Sequence, residues 1–141
     1  MAKAALAWKG EFSAAHMLTD KKWGKCRNLH GHNWRVMIAF DENVNNPVNF
    51  SDIKALIGKL DHKLLVWNGI VKGIGDRRYI IENSNGIKVA IPADSVVLLE
   101  DEPTCEVIAK YIYEMIVKAF NVRGLMVTVC EDSNSCVTYP A

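Results

Sequence analysis

Side chains that can bind a metal ion or move protons are concentrated in the stretch KCRNLHGHNW, residues 25–34. Residues i and i+2 of a β-strand point to the same side, so His30 and His32 would present two imidazoles together. His16 lies on a similarly alternating segment and would face them from a neighbouring strand. Three neutral imidazoles that leave one coordination position open form a catalytic zinc site. The alternative is that these histidines are ordinary polar residues of a strand.

A thiol, an adjacent Asp-His pair and a glutamate are further candidate functional residues. Beside Zn²⁺, the thiol of Cys26 would lose its proton and act as a base or nucleophile; otherwise it is a buried or incidental thiol. Asp61 and His62 form an adjacent pair, which on its own favours a polar patch on a helix surface. Glu131 ends an apolar alternation, where it either binds a ligand or reaches solvent. The remaining cysteines lack a metal-binding motif and are interpreted as structural: Cys105, Cys130 and Cys136.

Alternating hydrophobic residues predict the strands that would carry the histidines. The segments ALAWKGEFSAAH and HGHNWRVMIAF each place apolar or histidine side chains on even positions, as a strand with one buried face does. These side chains are Leu6, Trp8, Phe12, Ala14 and His16, and then His30, His32, Trp34, Val36, Ile38 and Phe40. We expect the two strands to form an antiparallel pair whose connection is a long loop at about residues 17–29.

Two segments with helical spacing follow. Ser51 is the candidate N-cap of the first, and the second begins at Thr104 and ends at NVRG, residues 121–124. Their apolar stripes are Ile53, Leu56, Ile57, Leu60 and Leu64, and Val107, Ile108, Tyr111, Ile112, Met115 and Ile116. A last strand places Leu125, Val127, Val129 and Glu131 on one face.

A hairpin is predicted between the helices, because NSNG at 83–86 separates two β-rich runs, 78–81 and 87–91. The predicted fold class is α+β. It consists of an antiparallel four-stranded sheet, two helices on one of its faces, and the added β-hairpin.

The composition is that of one domain with balanced charge. Its 141 residues are enough for a core that needs no disulfides for stability. Lys and Arg number 17 and Asp and Glu 16, a formal net charge of +1, which favours neither nucleic acid nor an anionic membrane as partner. No export signal or membrane span is evident. We therefore expect a cytoplasmic protein whose cysteines are reduced.

The order of these motifs resembles the 6-pyruvoyl-tetrahydropterin synthase family, and more closely its 6-carboxy-tetrahydropterin synthase branch, which serves queuosine biosynthesis. FSAAHML is similar to the family's first-strand motif around a zinc histidine, and the gap between Cys26 and His30 is similar to that of the carboxy branch. The motifs span nearly the whole chain. They are His16, Cys26-x-x-x-His30-Gly31-His32, Leu60-Asp61-His62, Pro103-Thr104-x-Glu106 and Val129-x-Glu131.

The resemblance implies a fold, a reaction and a set of site residues. The family has the tunnelling fold, in which the sheets of neighbouring subunits join into a barrel and two trimers form a homohexamer. Its substrate is 7,8-dihydroneopterin triphosphate, and the carboxy branch cleaves the side chain with release of acetaldehyde and triphosphate. The catalytic residues come from two neighbouring subunits. By position, the zinc ligands would be His16, His30 and His32; the catalytic residues Cys26, Asp61 and His62; and the substrate-binding residues Glu131, Glu106 and Thr104.

Three features depart from the family pattern. Asn49 stands where aspartate is usual, and Cys105 stands where serine, threonine or alanine is common. The segment at about residues 69–102 is longer than the connection in compact members, and we interpret it as an insertion in a single domain, residues 1–141. Two other functions remain open: 6-pyruvoyl-tetrahydropterin synthase activity, and a non-catalytic pterin- or metal-binding module.

Overall fold

The computed structural model describes residues 3–141 and has an α+β fold, as predicted. Its strands and α-helices are β1 (Lys3–His16), β2 (His30–Asn43), α1 (Phe50–Gly58), β3 (Lys63–Trp67), β4 (Val71–Gly75), β5 (Arg78–Glu82), β6 (Lys88–Pro92), β7 (Val96–Leu99), α2 (Cys105–Ala119), β8 (Arg123–Cys130) and β9 (Cys136–Tyr139). Short 3₁₀ segments occur at Lys21–Arg27, Asn68–Ile70 and Ala93–Ser95. Within residues 3–141, every helix is too short or too polar to cross a membrane.

The larger sheet has six strands in the order β7-β3-β1-β2-β8-β9. Strands β1 and β2 pair antiparallel, with His16 opposite His30 and Ala14 opposite His32. Strand β3 runs parallel to β1 on one side and to β7 on the other. The prediction of four antiparallel strands is therefore wrong in number and, at the β3–β7 edge, in direction.

The end of the first helix shows why β3 is missed. The helical stripe is predicted to continue to Leu64, but α1 ends at Gly58 and Leu64 lies in β3. Leu65 packs into the main core, whereas Leu64 and Val66 pack toward the smaller sheet, so both faces of the strand are buried. A short continuous apolar run of this kind has no period that distinguishes a strand from a helix.

The main core lies between the larger sheet and the two α-helices. The predicted alternation is confirmed, because even positions of β1 and β2 such as Phe12, Trp34 and Ile38 are buried. Residues of α1 and α2, among them Ile53 and Ile112, pack into the same cluster. The two helices therefore cover one face of the sheet, and this face carries the three histidines.

The helix starts are set by polar side chains. As predicted, Thr104 caps α2, and its hydroxyl accepts a hydrogen bond from the backbone N–H of Val107 at 3.3 Å. Ser51 is the wrong cap for α1, because the side chain of Asn49 accepts from the backbone N–H of Ser51 at 2.9 Å. Asparagine and aspartate are equally good N-caps. Asn49 can therefore cap α1 as well as the aspartate that is usual at this position of the family pattern.

The 69–102 segment forms a second, smaller sheet with the order β4-β5-β6. The predicted hairpin is confirmed as β5 and β6, while β4 is an additional strand. Ile81 of this sheet is buried together with Met17, Val66 and Ile70 in a second core. The segment then returns to the larger sheet as its edge strand β7. It is therefore packed against the rest of the chain on the side that holds the β1–β2 loop.

Candidate metal centre and adjoining cavity

The three predicted metal ligands lie at one end of the β1–β2 pair, where β1 ends and β2 begins. One ring nitrogen from each of His16, His30 and His32 lies within 4.8 Å of the others. The Nε2 atoms of His16 and His30 are 3.0 Å apart. The three rings pack edge to face, and the rings of His16 and His32 also contact that of the buried Trp34. The strand register thus converges three imidazoles on one point.

Backbone carbonyls determine which nitrogen carries the proton in two of these rings. Nδ1 of His16 donates to the carbonyl of Pro103 at 2.8 Å, and Nδ1 of His30 donates to the carbonyl of Asn28 at 2.6 Å. Because a carbonyl only accepts, a neutral ring in either position has its lone pair on Nε2. Two such lone pairs 3.0 Å apart repel each other unless a cation neutralises them. Hydrogen bonds that fix the outer nitrogen are typical of metal-ligating histidines.

The burial of His16 and of Nε2 of His32 favours the binding of a cation by the cluster. His16 is 2% exposed. Burial lowers its pKa from 6.5 to about 4, although the hydrogen bond to the Pro103 carbonyl acts in the opposite direction. Nε2 of His32 is buried without a hydrogen-bond partner among the described residues, and Glu131 Oε2 is 3.8 Å from it. A buried nitrogen without a partner is costly, so the three residues fit a metal ion and could hold one.

A cavity of about 460 Å³ adjoins His16. The half-buried thiol of Cys26 lines it, together with all three predicted substrate-binding residues, Thr104, Glu106 and Glu131. The structure therefore brings the Cys26 thiol, two carboxylates and a hydroxyl to one cavity beside the histidine cluster. These are groups that can move protons and can bind a ligand rich in N–H donors.

The remaining cysteines are in two different states. Cys105 also lines the cavity, where burial and then the charge of Glu131 raise its pKa to about 11, so this thiol keeps its proton at neutral pH. Cys130 and Cys136 form a disulfide. The expectation that all cysteines are reduced is wrong for this pair, because β8 and β9 place the two residues directly opposite each other. The turn that the disulfide closes begins with Glu131.

Asp61 and His62 lie at a different cavity. The carboxylate of Asp61 accepts hydrogen bonds from the backbone N–H of Ser13 and from Nδ1 of His62, each at 2.8 Å. These two bonds, the first more than the second, lower the pKa of Asp61. The His62 side chain is 83% exposed and lines a cavity of about 590 Å³ with Ser13, Asn33 and the candidate metal ligand His32. Within one chain, the predicted catalytic residues are therefore divided between two cavities.

Two residues near the site are missing from the sequence-based predictions. The carboxylate of Glu102 accepts hydrogen bonds from the backbone and hydroxyl of Thr19 and, at 2.8 Å, from the indole of Trp23. The side chain of Asn83, which is 4% exposed, donates to the carbonyl of Arg27 at 2.6 Å. Neither residue has a motif of its own. The available signals are the position of Glu102 beside Pro-Thr and of Asn83 at the start of NSNG.

Sequence comparisons agree on one family. The sequence model described as 6-pyruvoyl tetrahydropterin synthase matches residues 5–141. Two archaeal proteins provisionally named 6-carboxy-5,6,7,8-tetrahydropterin synthase are similar over 140 residues. The Pyrococcus horikoshii protein is 31% identical and the Pyrococcus abyssi protein 34% identical. Each alignment covers 94% of this chain and 87% of the relative.

Solved structures share the fold at low sequence identity. The 6-pyruvoyltetrahydropterin synthase of Plasmodium vivax is 22% identical, with a TM-score of 0.73 over 98% of this chain and 97% of that one. The 6-pyruvoyl tetrahydropterin synthase of Caenorhabditis elegans is 19% identical, with a TM-score of 0.58 over 99% of this chain and 96% of the other. The predicted tunnelling-fold architecture is supported by these neighbours, apart from the strand number given above.

Proposed function

The chain belongs to the 6-pyruvoyl tetrahydropterin synthase family, and from this premise we propose that it is a zinc-dependent lyase. It converts 7,8-dihydroneopterin triphosphate into 6-carboxy-5,6,7,8-tetrahydropterin and releases acetaldehyde and triphosphate. The observation that carries the proposal is the convergence of three imidazoles beside a cavity that contains a thiol and two carboxylates. The provisional names of the Pyrococcus relatives favour the carboxy reaction over its pyruvoyl counterpart.

Glu131 is the proposed anchor of the pterin ring. The ring presents a guanidine-like edge of N–H donors, which a carboxylate can accept in a bidentate manner. Glu131 is half-buried, and its backbone N–H donates to the carbonyl of Ser135 at 3.2 Å within the turn that the Cys130–Cys136 disulfide closes. The backbone of Glu131 therefore has a defined position before substrate arrives. Thr104 and Glu106 line the same cavity and are proposed to contact the rest of the substrate.

Cys26 is the proposed proton carrier. Zn²⁺ held by the three histidines would supply Lewis-acid chemistry to the substrate side chain. The thiolate of Cys26 takes protons from the side-chain carbons and returns them. Cys105 faces the same cavity, but its pKa of about 11 makes it a poor base at neutral pH. Cys26 is thus the thiol suited to this task.

The Asp61–His62 pair is proposed to serve the cavity of a neighbouring subunit. Asp61 fixes Nδ1 of His62 and leaves Nε2 free in an exposed side chain. Cys26 and His62 line different cavities within one chain, so their joint action at one site would need a second copy of the chain. We therefore propose a homohexamer whose active sites lie between subunits, as the resemblance implies.

Product analysis tests the reaction. Zinc-loaded protein is incubated with 7,8-dihydroneopterin triphosphate, and the products are identified by mass spectrometry, with acetaldehyde trapped as a hydrazone. Acetaldehyde and 6-carboxy-5,6,7,8-tetrahydropterin are expected in equal amounts. A 6-pyruvoyl product would show the alternative elimination reaction. Bound but unchanged substrate would identify a non-catalytic pterin-binding module.

Mixed oligomers test the shared site. Cys26→Ala chains and His62→Ala chains should each be inactive, because each lacks one proton carrier. After subunit exchange, some interfaces would contain an intact Cys26 and an intact His62, and part of the activity should return. If activity stays absent although exchange is verified by mass labelling, each site is built within one chain and the role of His62 must be abandoned.

A further inference from the structure

The loop that joins β1 to β2, residues 17–29, carries Cys26 but has little support of its own. We call it the Cys26 loop. Its 3₁₀ segment Lys21–Arg27 contains no buried residue and is interrupted at Gly24, where φ is 55°. A backbone hydrogen bond of 3.0 Å from Leu18 N–H to the carbonyl of Cys26 closes the base of the loop. The buried side chains at the start of the loop are Met17 and Leu18, and a 3₁₀ segment without any buried side chain opens readily unless other elements hold it.

The 69–102 segment supplies such contacts at both ends of the loop. Glu102 holds the beginning of the loop, as described above. The turn between β5 and β6, residues 83–87, holds the end, and we call it the Asn83 turn. Asn83 donates to the carbonyl of Arg27 at 2.6 Å, and Asn85 donates to the side-chain oxygen of Asn28 at 2.6 Å. The hydroxyl of Ser84 donates to the backbone carbonyl of Thr19, near the beginning of the loop.

Asn83 uses its amide for two separate tasks. Its side-chain oxygen accepts from the backbone N–H groups of Asn85 and Ile87, each at 3.1 Å, and thereby shapes the turn. Its side-chain nitrogen is then free for the carbonyl of Arg27, the residue that directly follows Cys26. An exposed polar residue would be enough to make a hairpin turn. Burying the amide is costly unless it is hydrogen-bonded, so its burial against the loop indicates a task beyond the turn.

The contacts of the Asn83 turn reach the thiol and the metal cluster together. The backbone carbonyl of Arg27 accepts the hydrogen bond from Asn83, and Arg27 directly follows Cys26 in the chain. The side-chain oxygen of Asn28 accepts a hydrogen bond from Asn85, and the backbone carbonyl of Asn28 accepts one from Nδ1 of His30. We propose that the 69–102 segment positions the Cys26 loop for catalysis and that Asn83 is its positioning residue. The proposal rests on the proposed role of Cys26 as proton carrier.

The test variant is Asn83→Asp. Aspartate retains the oxygen acceptors that shape the turn but cannot donate to the carbonyl of Arg27. Asn68→Asp is the matched control, since Asn68 is exposed and its side chain has no hydrogen-bond partner in the described residues. Three quantities are measured for each protein: kcat and KM with 7,8-dihydroneopterin triphosphate, zinc content, and the rate at which iodoacetamide alkylates Cys26, followed by peptide mass spectrometry.

In Asn83→Asp, kcat should fall by about 10- to 10²-fold, the scale of a misplaced catalytic group, while KM and zinc content stay near wild type. Alkylation of Cys26 should become several-fold faster, and Asn68→Asp should match wild type throughout. An unchanged kcat, an equal fall in the control, or a fall that follows loss of zinc would overturn the proposal.

A second variant keeps the test decisive if Asn83→Asp does not fold. Asn85→Ala changes an exposed side chain and removes only the bond to Asn28, so it should shift kcat and alkylation in the same directions by a smaller factor. If wild-type protein leaves the substrate unchanged, the proposed function fails, and the alkylation rates still test the positioning of the loop. Equal rates in wild type and both variants would then refute it.

Discussion

Replacement of Glu102 by glutamine should destabilise the protein through the Cys26 loop. One carboxylate oxygen accepts from the backbone and hydroxyl of Thr19, and the other accepts from the indole N–H of Trp23 at 2.8 Å. Glutamine has the same shape but only one acceptor oxygen. Its NH₂ group must therefore face a donor, and the hydrogen bonds that remain lose their charge assistance.

The size of the effect follows from these contacts. The loss of one charge-assisted hydrogen bond amounts to roughly 1.5–3 kcal/mol. An unfolding entropy of about 2.1 cal/mol/K per residue gives roughly 0.3 kcal/mol/K for 141 residues. A loss of about 2 kcal/mol should thus lower the melting temperature of Glu102→Gln by about 7 °C. Glu100→Gln is the matched control, because Glu100 is exposed and has no side-chain hydrogen bond among the described residues, and its melting temperature should stay within about 2 °C of wild type.

The effect of Glu102→Gln should depend on pH. Burial raises the pKa of Glu102, but the hydrogen bonds from Thr19, Trp23 and Asp20 outweigh it and lower the pKa below its ordinary value of 4.5. A lowered pKa in the folded state means that the carboxylate stabilises the protein fully above about pH 4.5 and loses this contribution as the pH falls further. Thermal melts at pH 7 and about pH 3 should show the wild-type advantage shrinking at the acidic value. A difference below about 0.5 kcal/mol at pH 7, or one that persists in full at low pH, would refute the reasoning.

Three further predictions address the proposed site. Elemental analysis should find about one Zn²⁺ per chain, and His30→Ala should lose most of it because one of three ligands is removed; zinc unchanged in that variant would contradict the metal site. Cys26→Ala should keep zinc and pterin affinity while turnover at saturating substrate falls by roughly 10²-fold or more, and near-normal turnover would direct the search for the base to His62. Glu131→Gln should keep zinc and the oligomer but weaken pterin binding in calorimetry by roughly 1.5–3 kcal/mol, since a charge-assisted contact is lost; equal affinity would exclude Glu131 as the anchor.

The parts of the fold that sequence predicts are those with a local period. The alternation in β1 and β2 identifies the buried face, and this face places His16, His30 and His32 together. Strands β3, β4, β7 and β9 escape prediction because they are four or five residues long and lack the turn signal that identifies the equally short β5 and β6. The Cys130–Cys136 disulfide escapes because it depends on the register of β8 and β9.

The parts of the site that sequence does not predict are held by long-range polar contacts. Glu102 bonds to Thr19, which is 83 positions away, and Asn83 bonds to Arg27, which is 56 positions away. Such pairs leave no periodic trace, because a single polar residue in a turn is equally typical of solvent exposure. The role of the 69–102 segment beside the Cys26 loop therefore becomes visible only when the chain is folded.

The backbone conformation of His62 lowers the stability of the protein, whereas its side chain is proposed to serve catalysis. With φ at 61°, His62 occupies the left-handed region, which costs a residue with a side chain roughly 1–2 kcal/mol. Its exposed side chain has one hydrogen-bonding partner in the described part of the chain, Asp61, and glycine would adopt the same backbone without that cost. A laboratory selection for heat resistance alone should therefore enrich His62→Gly, and under the proposed function every such clone would be a stable but inactive protein. Libraries intended to yield a robust enzyme should hold this codon fixed.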